Sequence, residues 1–316
     1  MGARMSSKRF RAAGVIVCLS GWVCALGCDG SLVQTSLDGG TLLEAGPLPS
    51  DAGDETPDAR ASSPLDANTA GDSDRPTGCG SALAAPIRAL FIGNSQIDFW
   101  NMARLVSSLS ESAGATCPRI MGERYTLGGA NLRDLWEQPL PDGRRLPTTI
   151  GSGDYDVVVI TESIDLAEFV PAPFPAQFVD YATRIIEASR AAGATPILYA
   201  SPYVERVDRR GFHAQADPQI ELGRALGVAV ATGGLAWLRV WEELPTVDLY
   251  FRDRQHPGWK GSYISALVIY STITGASPIG LSRMPVSQCE DGFCPPISEL
   301  EADIFQRAAW DEVQAH

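Results

Sequence analysis

A chain of 316 residues with 45% hydrophobic and 8% aromatic content can bury one large core or two small ones. Its formal net charge of −13 is unevenly placed: residues 1–28 hold four basic and no acidic residues, residues 29–78 two basic and ten acidic, and the remainder 19 basic and 28 acidic. Phosphate backbones demand concentrated Lys and Arg; with Lys8 and Lys260 the sole lysines and no basic cluster in the larger part, the composition argues against a nucleic-acid partner.

Arg4, Lys8, Arg9 and Arg11 precede an apolar run from Ala12 to Leu26, too short to span a bilayer and patterned as a secretory signal. The run ends Cys24-Ala25-Leu26-Gly27-Cys28, which resembles the lipobox of bacterial lipoproteins, with Ala25 where leucine is usual; that resemblance implies lipidation at Cys28 and a membrane anchor. Residues 29–78 are rich in Gly, Ser, Asp, Pro and Ala and lack the apolar surface needed to offset ordering entropy, so they read as a tether. A coil of about 50 residues spans roughly 40 Å, enough to hold a domain clear of a membrane. An exported chain meets an oxidising compartment, and of its later cysteines Cys289 and Cys294 flank a short loop with a turn-forming Asp-Gly, which leaves Cys79 to pair with Cys117. With no C-x-x-C and three histidines, neither a metal nor another cofactor is expected.

The first element is the apolar strand Ile87 to Ile92, halted at Gly93-Asn94-Ser95; the serine there either caps the helix that follows or is delivered as a reactive group. Met102, Leu105, Val106, Leu109 and Ala113 recur at helical spacing up to Gly114. Arg119 to Leu127 reads as a second strand, followed by Gly128-Gly129 and by Asn131 as cap of a short helix through Trp136. After a polar loop, Tyr155 to Thr161 is continuously apolar and β-branched, as a strand covered on both faces must be. Next come a helix Pro175 to Ala192 stopped by Gly193, a strand Thr195 to Ala200, a helix Ala214 to Leu226 stopped by Gly227, and a short strand Val228 to Thr232. A last helical stripe, Tyr263, Ala266, Leu267 and Tyr270, follows Pro257 and ends by Gly275; from about residue 277 a C-terminal extension follows. Alternating strands and helices predict a doubly wound, three-layer α/β/α sandwich around a five-stranded parallel sheet, with chemistry at the carboxyl ends of the strands.

Those ends carry Ser95, Gly128-Gly129 and Glu162-Ser163. Serine becomes a useful nucleophile only when a base takes its proton. His316 is the last residue and His213 sits in a polar stretch, which leaves His256, preceded by three positions by Asp253, a carboxylate able to turn back onto the imidazole. Donors for a developing oxyanion are offered by the Ser95 N–H at a helix start and by Gly128 or Gly129, where no side chain blocks close backbone approach. Arg252 and Arg254 read as solvated loop charges, and at least two of Trp100, Trp136 and Trp259 as core.

Taken together these blocks resemble the SGNH, or GDSL-type, hydrolases, extracellular or periplasmic esterases on a flavodoxin-like sheet. Gly93-Asn94-Ser95 stands for the first block, Gly128 or Gly129 for the second, and Asp253-Arg254-Gln255-His256 for the last, across most of residues 86–275. The resemblance implies Ser95 as nucleophile, His256 as base, Asp253 as orienting acid, and the N–H groups of Ser95 and Gly129 as oxyanion donors. The third block departs from the pattern: the family's asparagine is absent from Thr161-Glu162-Ser163-Ile164-Asp165, so that Glu162 structures the pocket or Ser163 or a backbone N–H substitutes, and Asn94 and Trp259 are further candidates for lining it. The expected function is removal of small acyl groups from extracellular glycans by an exported, envelope-held domain, with lipid or thioester hydrolysis as the alternative and a non-catalytic glycan-binding lipoprotein as a reading of another class.

Overall fold

In the computed structural model the described residues are 85–114, 117–162, 176–202, 210–285 and 296–316. The expected signal, the tether, Cys28, Cys79, Ser163, Cys289 and Cys294 lie outside them. Cys117 is disulfide-bonded, and every other cysteine lies outside the described residues, so the expected pairings do too.

Five strands form one sheet: β1 (Ile87–Gly93), β2 (Ile120–Thr126), β3 (Val157–Ile160), β4 (Thr195–Tyr199) and β5 (Ala229–Ala231). Every pairing is parallel, as the alternating pattern predicts, and the order β2-β1-β3-β4-β5 is the flavodoxin-like one that the family resemblance implies. Beside them lie α1 (Ser95–Asp98), α2 (Met102–Ser112), α3 (Leu132–Glu137), α4 (Leu146–Gly151), α5 (Ala176–Ala191), α6 (Arg210–Leu226), α7 (Gly233–Glu243), α8 (Trp259–Thr274) and α9 (Glu299–Ala315).

Two cores follow from the period-two alternation of β1. Ala89 and Phe91 face a core shared with α2, α7, α8 and α9, whereas Leu90 and Ile92 face one shared with α3, α4 and α5. β3 is buried at all four positions, as a strand between two helical layers must be. Helix α8 is apolar nearly all round because α9 covers the side left open by α2 and α7: Gln306 Nε2 donates to Tyr263 Oη at 2.9 Å, and Lys260 pairs with Glu301. Among the described residues no helix is long and apolar enough to cross a membrane.

Among the described residues three helices lie beyond those the sequence predicts, and one starts earlier than predicted. Helix α6 begins at Arg210, four positions before the expected Ala214, and carries Pro218 inside it. His213 therefore stands on a helix, exposed and 3.5 Å from Asp217. Helices α4, α7 and α9 were not expected. Leu146 and Ile150 are the only buried side chains of α4, too few for a visible period, and α7 opens on Gly233-Gly234, which reads as a turn. The start of α9 does carry a signal, the capping box of Ser298 and Glu301.

Candidate active site

Strand β1 ends at Gly93 because nothing larger fits: a Cβ there would lie 2.8 Å from Thr161 Cβ and 3.1 Å from Ile97 Cγ2. The carboxyl ends of β1 and β3 are thus pressed together beside the point where the strand order reverses. Asn94, 2% exposed, caps α1: its Oδ1 accepts the Gln96 N–H at 3.0 Å and its Nδ2 donates to the Ala130 carbonyl at 3.2 Å. The capping duty falls on Asn94 and leaves the Ser95 hydroxyl free for other work.

That hydroxyl faces His256. Nε2 of His256 lies 2.8 Å from Ser95 Oγ, and Nδ1 lies 2.6 Å from Asp253 Oδ2. The other carboxylate oxygen of Asp253 accepts the N–H groups of Gln255 and His256, both at 3.0 Å, so one side chain fixes both the backbone turn and the ring. Burial pushes the Asp253 carboxyl up, but these N–H groups and the imidazole outweigh it and hold the group below its ordinary value. The loop folds on itself: Phe251 N–H donates to the His256 carbonyl at 2.8 Å, and Gly258 N–H to the Leu249 carbonyl at 2.7 Å. Arg254, at a positive φ of 59°, reaches both oxygens of Asp248 at 2.9 Å.

The segment bearing Ser95 also grips this loop, through Gln96 and Phe99, to which the sequence reading gave no role, and through Trp100, which it read among candidates for the core. Gln96 Nε2 donates to the Gln255 carbonyl at 3.2 Å, Trp100 Nε1 to the Pro257 carbonyl at 2.7 Å, and the Phe99 ring stacks on the His256 ring at 4.6 Å between centroids, 8° from parallel. Three anchors within five residues of the serine tie its segment to the histidine loop. Their signal was the polar Gln96 and the aromatic pair Phe99-Trp100 after Ser95.

The glycine turn sits alongside. Gly93 pairs in register with Thr126, Leu127 N–H donates to the Gly93 carbonyl at 3.1 Å, and Ala130 N–H closes the turn onto the Leu127 carbonyl at 3.1 Å. Gly129 takes a φ of 71°, which only glycine adopts at little cost. Neither the Ser95 nor the Gly129 backbone N–H has an acceptor among the described residues. Asn131 then caps α3 in a reciprocal capping box with Asp134.

Glu162 is 5% exposed and turned toward this segment, accepting the Leu132 N–H at 3.4 Å. Trp259 corrects the sequence reading: at 6% exposure, 5.9 Å from Trp100, it packs in the core instead of lining a pocket, because α8 starts against α2. Trp100 is also core, and Trp136 is half-buried against the other core. Among the described residues no group of three or more His, Cys, Asp or Glu could hold a metal ion.

The arrangement can pass a proton from a hydroxyl to an imidazole held by a carboxylate, beside two open N–H groups. No family model and no curated protein matches the chain. Among solved structures, a DUF4886 family protein from Bacteroides uniformis is 12% identical, with a TM-score of 0.55 over 73% of this chain and 95% of that one. The chain shares its fold. Also similar are a Geobacillus acetyl-xylooligosaccharide esterase, 19% identical with a TM-score of 0.44 over 62% and 95% of the two chains, and a lipase/acylhydrolase from Enterococcus faecalis, 15% identical with a TM-score of 0.42 over 63% and 100%.

Proposed function

We propose that the protein is a serine ester hydrolase of the SGNH/GDSL type. The observation that carries this reading is the hydrogen-bonded chain from Ser95 Oγ through the His256 ring to Asp253, at 2.8 and 2.6 Å. Ser95 Oγ attacks the ester carbonyl carbon while His256 Nε2 takes its proton. The tetrahedral oxyanion forms toward the N–H groups of Ser95 and Gly129. When it collapses, His256 returns the proton to the leaving alcohol, and a water, deprotonated by the same imidazole, then attacks the acyl-Ser95 carbonyl to release acid and free serine. Asp253 stays ionised, holds the Nδ1–H tautomer and stabilises the imidazolium.

The substrate in this reading is a small acyl ester, acetyl first, on an extracellular glycan or glycoconjugate. Support comes from the amino-terminal sequence, in which a signal-like run ending at Cys28 and an acidic tether of about 50 residues suit a soluble domain working near an envelope surface. A panel of acetylated xylo-oligosaccharides and other acetylated glycans, set against long-chain and thioester substrates, tests this. Preference for acetylated glycans supports the assignment; preference for long-chain or thioester substrates replaces it with lipid or thioester hydrolysis.

A further inference from the structure

Resting on that esterase reading, we infer that Glu162 is a positioning residue of the oxyanion site, fixing the glycine turn that carries the Gly129 N–H. A carboxylate at the end of β3 cannot donate to an oxyanion, and an ionised one aimed at it would oppose the reaction. Glu162 instead accepts, at 3.4 Å, the N–H of Leu132, the first residue of α3. That N–H belongs to a helical first turn and has no intrahelical partner. Asn94 Nδ2 donates to the Ala130 carbonyl. The turn from Gly128 to Ala130 is therefore held from two strands, β1 through Asn94 and β3 through Glu162. Gly128 and Gly129 meet no atom within 4 Å of where their Cβ atoms would lie, so the turn is placed by its flanking residues Leu127 and Ala130, which pack in the second core, and by its hydrogen bonds.

A positioning role predicts a loss in kcat with KM nearly unchanged, because a displaced donor weakens the transition state more than the ground state. Glu162→Ala is expected to lower kcat about ten- to a hundredfold, and Glu162→Gln, which retains an acceptor oxygen, to recover most of it. Leu132 offers an independent route. Proline is tolerated at a first helical position and removes the N–H in question, while Leu132→Ala makes a comparable loss of packing and keeps it. Leu132→Pro should reproduce the kcat loss, Leu132→Ala should not, and Glu162→Ala should add little to Leu132→Pro. Equal kcat in Leu132→Pro and Leu132→Ala, or unchanged kcat in a folded Glu162→Ala, overturns the inference. Labelling of Ser95 by a fluorophosphonate in the same samples separates the two readings: no labelling in the wild type sinks the esterase assignment, whereas labelling with no effect at Glu162 and Leu132 sinks only the positioning role.

Discussion

Ser95 Oγ and His256 Nε2 stand 2.8 Å apart across 161 positions of sequence, one on the turn after β1 and the other on the loop before α8. Nothing local brings them together. Gln96, Phe99 and Trp100 on one side, and the carbonyls of Gln255 and Pro257 with the His256 ring on the other, make the junction.

Asp253→Asn keeps an acceptor for the loop N–H groups yet presents an amide to Nδ1, which disfavours the tautomer that leaves Nε2 able to take a proton. Ester turnover should fall about a thousand- to ten-thousandfold in kcat, with KM changed little. A steady-state comparison of the two proteins checks this, and a fall of less than about tenfold would show that Asp253 serves the loop alone.

Gly129→Ala tests the turn. No neighbouring atom would clash, so the cost is the backbone's, about 1–2 kcal/mol for holding an L-residue at a φ of 71°. Chemical denaturation should show that modest loss, while kcat falls by much more than stability explains, since the donor itself shifts. Equal activity with reduced stability would remove Gly129 from the site.

Acid sensitivity follows from two carboxyls. In Glu301, burial raises the group but Lys260 and the Ser298 N–H and hydroxyl outweigh it, and Asp253 behaves alike through its own partners, so both lie below their ordinary values when folded. A carboxyl lowered by folding stabilises the native state above its unfolded pKa and loses that contribution as pH falls through the folded value. The difference in Tm between wild type and Glu301→Gln should be full above pH 4.5, the ordinary glutamate value, and close below it. A gap independent of pH would mean the Lys260 pair does nothing for the docking of α9.

The sheet was legible because β1, β3, β4 and β5 hold short apolar runs closed by glycine or a polar turn, and β3, with Val157, Val158, Val159 and Ile160 all buried, could be little else. That Ser95, His256 and Asp253 belong together was legible because the chain has three histidines and one of them, His256, follows an aspartate by three places. Helix α9 escaped because its buried face is mixed, with Gln306 and Glu312 inside it: Glu312 takes Arg239 at 2.7 Å and Thr232 at 2.8 Å, contacts no periodicity encodes. Trp259 was misplaced for a related reason, since nearness in sequence to His256 says nothing of which side of α8 the indole takes. The direction of Glu162 was open on sequence alone, because a carboxylate beside a site can serve it or be turned from it, and the Leu132 N–H that it accepts is set by the fold.

The central claim, that Ser95 is activated by His256, is tested most directly by hydrolysis of a short-chain nitrophenyl ester by the wild type and by folded Ser95→Ala and His256→Ala proteins. Turnover in the wild type that is abolished in both variants is the expected result. Equal activity in all three would contradict it.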